Sequence, residues 1–180
     1  SYDMEIEAVY LIGQFGVATP GAFTPLERRA TRYDGSFAVT RRPDAVLPGD
    51  IVPQGFPFFA GRMTVKKTVT LSAADCAGRC LRFAERCDTV TRVRVNGRDA
   101  GAVLWHPYEL PLDGLLHEGE NTIEIEMIGN LRDLLGPHHL KSGESYVVCP
   151  FSFFEESPLW CGGHNADWDG RYCFVRHGLA

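Results

Sequence analysis

No stretch of the 180 residues approaches the roughly 18 consecutive apolar positions that a membrane-spanning helix needs, so a soluble globular chain without a membrane partner is expected. A basic stripe is missing as well. The net charge is −5 and the 18 lysines and arginines are scattered among 23 acidic residues, so nothing lines up to neutralise a row of phosphates and nucleic acid is not an expected partner. The opening SYDMEIEAVYLIG lacks the basic segment, apolar stretch and small-residue cleavage site of a signal peptide. Ser1 stands where an initiator methionine would, and the expectation is one domain over residues 1–180, the C-terminal part of a longer polypeptide.

Close CxxC pairs are absent from the six cysteines, which stand at Cys76, Cys80, Cys87, Cys149, Cys161 and Cys173. That removes the usual zinc spacing. Six thiols allow fifteen disulfide connectivities, but a domain of this size does not need staples. Reduced, mostly buried thiols are the first reading, with disulfides and metal ligation as the alternatives. Together with the absent leader this favours a cytoplasmic location.

Sustained helical periodicity is lacking too, whereas period-two alternation recurs, so the fold class is all-β. In MTVKKTVTL, Met63, Val65, Val69 and Leu71 share one face, with Lys67 as the single misfit; in NTIEIEM, Ile123, Ile125 and Met127 point inward and Glu124 and Glu126 outward. Val93 and Val95 are expected to be buried beside them. Asp34-Gly35 and Asn96-Gly97 are pairs that tolerate the positive φ of a type I′ turn, and each predicts a tight hairpin. Residues 131–135 predict one helical turn stopped by Gly136 and Pro137. Short strands at close spacing with Gly and Pro punctuation predict a two-layer antiparallel β-sandwich of about eight or more strands.

Residues 61–130 carry three motifs in fixed order: GRMTVKKTVTLS, then CLRFAERCDTVTRVRVNGRDAG, then WHPYELPLDGLLHEGENTIEIEMIGN. The series resembles the sugar-binding domain of family-two glycoside hydrolases, a jelly-roll relative of the galactose-binding fold. The flanks, YLIGQFGV and QGFPFFAG before it and NLRDLLGPHH and YCFVRHGL after it, resemble accessory domains of large bacterial hydrolases, including α-L-rhamnosidase-like enzymes. The resemblance implies a galactose-binding-like accessory domain with carbohydrate as partner, beside a catalytic domain of the same polypeptide. Where the family often has a Gly-Gly pair before its Pro-aromatic step, this chain has Leu104, Trp105 and His106.

Sugar recognition needs a flat aromatic face and a few fixed polar groups. Trp105, His106 and Tyr108 supply that mixture on one short segment, with Arg132 and the pair His138-His139 expected near it. The alternative is that Trp105 caps the core and Tyr108 begins a strand. A second candidate is the glycine-rich SPLWCGGHNADWDGRYC, which carries Trp160, His164, Trp168, Asp169 and Arg171; the alternative there is a long surface connection. NADWDG echoes the start of a calcium loop, but counting from Asn165 puts Arg176 at the twelfth position, where a bidentate Glu is required, so no cofactor or metal is expected, with calcium held through backbone carbonyls as the alternative.

Catalysis is not expected of this chain. Glu155 and Glu156 would face opposite sides of a strand, and Asp167 and Asp169 would share one face, whereas glycosidase carboxylates approach the scissile bond from opposing sides. Two functions remain open: a carbohydrate-binding module, or a structural module packed on a catalytic domain.

Overall fold

The computed structural model describes residues 9–156 and 164–179. Thirteen strands run through them in chain order: β1 (Phe15–Ala18), β2 (Ala22–Pro25), β3 (Ala30–Asp34), β4 (Ala38–Arg41), β5 (Gly49–Asp50), β6 (Arg62–Leu71), β7 (Cys80–Arg82), β8 (Val90–Val95), β9 (Arg98–Val103), β10 (Glu109–Pro111), β11 (Gly119–Ile128), β12 (Tyr172–Val175) and β13 (Gly178–Leu179). All their pairings are antiparallel, and the fold is an all-β sandwich. The one α-helical turn among the described residues, α1 (Arg132–Leu135), ends at Gly136, whose φ of 91° suits glycine. Among the described residues no helix is long and apolar enough to cross a membrane.

The largest sheet has the order β6-β11-β8-β9 and lies wholly within residues 62–128. Alternation along β8 sends Val93 and Val95 into a fully buried aliphatic core with Phe83, Val103 and Leu112. Met127 is buried as expected, but Ile123 and Ile125 are only partly covered, because β6 is an edge strand. The side chain opposite Ile123 is the exposed Lys67, so the misfit marks where the core stops. Glu124 and Glu126 do turn to the other face, half-buried rather than free.

Asn96 and Gly97, with φ of 53° and 75°, close the β8–β9 hairpin. Behind that turn sits Asn121, fully buried and fully satisfied. Its Oδ1 accepts from Asn96 Nδ2 at 2.9 Å and from His117 N at 3.0 Å, and its Nδ2 donates to His117 O at 2.7 Å and Gly119 O at 3.1 Å. One asparagine thus ties the entry of β11 to the hairpin tip.

A second core is aromatic. The three-stranded sheet β12-β3-β2 contributes Tyr33 and Phe174, which close on Val52, Phe23, Phe37, Phe58 and Tyr172. The Asp34-Gly35 pair does not form the expected hairpin: β3 pairs with β2 and β12, and β4 with β1. Gly35 serves close approach instead, since a Cβ there would meet the Cα of Gly21 at 2.8 Å and the Tyr33 hydroxyl. That hydroxyl accepts from Gly21 N at 3.0 Å and donates to Ser36 O at 2.6 Å, holding the crossing together.

Five cysteines stand unpaired among the described residues, and only Cys173 is buried. The expectation of mostly buried thiols is corrected there: Cys80 and Cys149 are exposed, because Cys80 takes an outward-facing position of β7 and Cys149 lies just before a short 3-10 turn. Cys161 and Trp160 fall outside the described residues.

Candidate functional site

The chain leaves β9 at Val103, which is buried, and turns outward. Leu104 is 48% exposed and Trp105 73% exposed, an indole with an open face. The rings of His106 and Tyr108 stack at 3.7 Å. Tyr108 is rooted in the aliphatic core, and the guanidinium of Arg86 lies 5.1 Å from its ring centre, a cation–π contact. Arg86 is itself buried and paired with Asp88 at 2.8 Å, and Asp88 accepts from Thr91 Oγ1 at 2.7 Å. A buried ion pair, a tyrosine and a histidine therefore support the base of the loop that presents Trp105.

The described part of the second predicted segment, residues 164–173, folds against 138–142. Asp169 is buried, and its carboxylate takes Arg171 Nε at 2.8 Å and Nη2 at 2.6 Å, with Arg32 at 3.7 Å. Those hydrogen bonds to Arg171 hold its pKa down to about 2. His139 faces the carbonyls of Asp169 and Arg171 through Nδ1 at 3.0 and 3.1 Å, and its ring packs on Trp168 at 4.4 Å and Tyr172 at 4.9 Å. Asn165 and Asp167 also turn inward, onto Phe151 O and onto Ser142 N and Oγ. Among the described residues no three His, Cys, Asp or Glu side chains gather as a metal site. His164 is exposed and sits 3.5 Å from Glu156.

Arg132 opens α1 and His138 follows it, and neither lies in the Trp105 loop. Arg132 Nε donates to Glu144 at 2.8 Å. His138 Nε2 faces the Asp133 carbonyl at 2.9 Å, its ring lies among Phe58, Tyr172 and Phe174, and burial keeps its pKa below the ordinary value. The structure thus brings Trp105, His106 and Tyr108 together in one loop and Trp168, Asp169 and Arg171 in another. Arg132 and His138 stand apart from the first.

Beside His138, Asp133 is 5% exposed and accepts from Val175 N at 2.8 Å, pinning α1 to β12. Burial pushes its carboxyl up to about 7 from 3.8. The folded chain keeps a proton that the unfolded chain releases near pH 4, so this contribution to stability is complete below about pH 4 and is lost as pH rises through about 7. His138 acts in the opposite sense, because a lowered pKa stabilises above its unfolded value of 6.5 and less as pH falls. Subtracting the unfolding free energy of Asp133→Asn from that of the native chain isolates the carboxyl. The difference is expected to fall between about pH 4 and pH 7, by about 1.4 kcal/mol per unit where the slope is steepest. A flat difference in urea denaturation would mean that Asp133 titrates as a free carboxyl.

Alternation along the strands also builds a polar face that sequence reading did not single out. Opposite the aliphatic core, Thr64, Arg92, Arg94, Asp99, Gly101, Ala102, Glu124 and Glu126 line a concavity of about 480 Å³. The residues are spread over four strands and are adjacent only through register, which local pattern does not reveal. The one available signal was the Thr-Arg-Val-Arg-Val alternation of β8.

Several solved structures overlap this chain loosely. A rhamnosidase from Novosphingobium sp. PP1Y overlaps 96% of this chain at 19% identity with a TM-score of 0.43, and a β-D-glucuronidase of Dictyoglomus thermophilum overlaps 94% at 17% identity with a TM-score of 0.36. This chain spans 15% and 29% of their respective lengths. No family model matches the sequence, and neither does any curated protein. Overlaps this loose leave function to the chain's own residues.

Proposed function

We propose that this chain is a non-catalytic, galactose-binding-like accessory domain that binds carbohydrate within a larger bacterial glycoside hydrolase. The observation that carries the reading is Trp105, 73% exposed on a loop supported by the stacked His106–Tyr108 pair. An indole held open to solvent suits the apolar face of a pyranose ring. The motif series in residues 61–130 supplies the parent class. Hydrolysis is not assigned to this domain: Glu124 and Glu126 sit two apart on one strand and face the same way, and Asp169 is occupied by Arg171.

One stacked ring contributes about 0.5 to 1.5 kcal/mol beyond area burial, so affinity for a neutral sugar is expected near millimolar and insensitive to salt. A glycan array followed by calorimetry on the best neutral ligand tests this, with Trp105→Ala expected to remove the binding and leave the thermal midpoint unchanged. Turnover of aryl glycosides that a point substitution abolishes would overturn the reading.

A second reading is a structural module packed on the catalytic domain of the same polypeptide. It is favoured by exposed apolar side chains away from Trp105: Val9 at 96%, Ile12 at 88%, Tyr146 at 88% and Val147 at 75%. No binding on the array, together with a catalytic domain that loses stability when this chain is removed, would decide for it.

A further inference from the structure

We infer that the concave face of the β6-β11-β8-β9 sheet is a second binding surface, separate from Trp105, for a glycan that bears carboxylates, a polyuronate. Register sets out two rows of side chains across the four strands. Lys66, Glu124, Arg94 and Asp99 form one, and Thr64, Glu126, Arg92 and Ala102 the other. The second row is open at its ends because Thr64 and Ala102 are small, and Gly101 adds no side chain between the β9 members of the two rows.

The β9 end depends on a bulge. Asp99 pairs with Arg94 and Gly101 with Val93, so Ala100 is an extra residue in the ladder. Two side chains three apart on a regular strand face opposite ways; the bulge brings Asp99 and Ala102 onto the same face. Gly101, at φ 120°, accommodates the kink.

Charge complementarity selects the occupant. The carboxylates on β11 are matched from the edge strand: Lys66 pairs with Glu124, and Arg62 lies 4.0 Å from Glu126. Asp99 accepts from Gly101 N at 3.2 Å. Among the described residues neither Arg92 nor Arg94 has a carboxylate within ion-pair distance, and both are exposed. Two guanidiniums about 7 Å apart along one strand are therefore left over, each with a planar fork that fits a carboxylate. The neighbouring glutamates and Thr64 add acceptors and a hydroxyl that suit sugar hydroxyls, and those same glutamates oppose a densely charged polyphosphate. A polymer with one carboxylate and several hydroxyls per unit matches that alternation.

The inference shares the carbohydrate class of the proposed function but not its residues, so the two can fail separately. The 180-residue chain is titrated by calorimetry with a tetragalacturonate and with its carboxyl-reduced neutral counterpart. The uronate is expected to bind at least about tenfold more tightly than the reduced form, and to weaken between about 50 and 300 mM salt. Arg92→Gln and Arg94→Gln are each expected to weaken it several-fold, with unchanged thermal midpoints and unchanged neutral-sugar binding at Trp105. Trp105→Ala is expected to leave uronate binding intact. Equal affinity for both tetrasaccharides, no binding of the uronate, or full affinity in the Arg92→Gln, Arg94→Gln double variant would each overturn the inference. Loss of uronate binding in Trp105→Ala would also overturn it while leaving the Trp105 reading standing. Salt-sensitive uronate binding in a chain that binds no neutral sugar would uphold it and remove the other.

Discussion

Arg86→Ala is expected to lower stability by about 3 to 5 kcal/mol, the cost of leaving one member of a buried ion pair without its partner. Arg86 is 3% exposed and Asp88 fully enclosed, 2.8 Å apart, and without the guanidinium the carboxylate keeps only the Thr91 hydroxyl as its side-chain donor. At roughly 2 to 4 °C per kcal/mol for a domain of this size, the thermal midpoint should drop by about 10 °C. Two further variants separate charge from packing. Arg86→Met keeps much of the volume and should remain strongly destabilised, whereas Arg86→Met combined with Asp88→Asn removes both charges and should recover most of the loss. Urea denaturation of the four proteins checks this, and a loss below about 1 kcal/mol for Arg86→Ala would show that the pair is solvated. The effect reaches the Trp105 loop as well. Tyr108 loses the cation beneath its ring, so Arg86→Ala should weaken neutral-sugar binding although Arg86 does not touch the Trp105 face.

Phe174→Ala is expected to cost a similar 3 to 5 kcal/mol by opening a cavity in the aromatic core. Phe174 is fully buried, with the ring of Phe58 at 5.3 Å and that of Tyr172 at 5.8 Å, and Phe37 and His138 each at 6.1 Å. Five rings share one enclosure, so collapse into the gap would have to move several at once. Phe174→Leu should recover a large part of the loss by refilling the space. Thermal unfolding of both variants decides it. Equal, small effects would mean that this layer is loosely packed. Tyr33→Phe tests the polar side of the same core: it strands the Gly21 N–H, at about 1 to 3 kcal/mol.

The strands of the central sheet were legible because one of their faces is solvated, and a period of two then appears directly in the residue types of β8 and β11. The Asn96-Gly97 turn was legible for a local reason, since both residues adopt the positive φ that their chemistry tolerates. Asp34-Gly35 has the same composition and another purpose. Its glycine makes room for Gly21, a residue fourteen positions earlier, and nothing nearby in sequence records that contact. Ile123 and Ile125 were read as core from their own alternation, but their cover depends on what lies over the edge strand, where Lys67 faces solvent.

The loop at Trp105 was found because its three ring-bearing residues are close together in the chain. The degree to which Trp105 is exposed was not legible, since a tryptophan capping a core has the same neighbours in sequence. Arg92 and Arg94 were not singled out, although they alternate with the buried Val93 and Val95. Their distinction from Glu124 and Glu126 lies in which charges already have partners, and that follows from the β6–β11 register and the bulge at Ala100. Asp169 and Arg171 were named only as members of a candidate loop; their pairing, with both carboxylate oxygens engaged, clamps that loop and has no signature in the local sequence.

The pairing order of the strands has a consequence for the birth of the molecule. The sheet β6-β11-β8-β9 is complete once residue 128 has been synthesised, whereas β3 and β5 take their partners from β12 and β13 at the far end of the chain. On a ribosome adding about 5 to 20 residues per second, β3 therefore waits several seconds for β12 with one edge open. Unpaired edges of that kind invite pairing with other chains. The late-closing aromatic layer, and not the aliphatic one, is where a nascent chain would need protection.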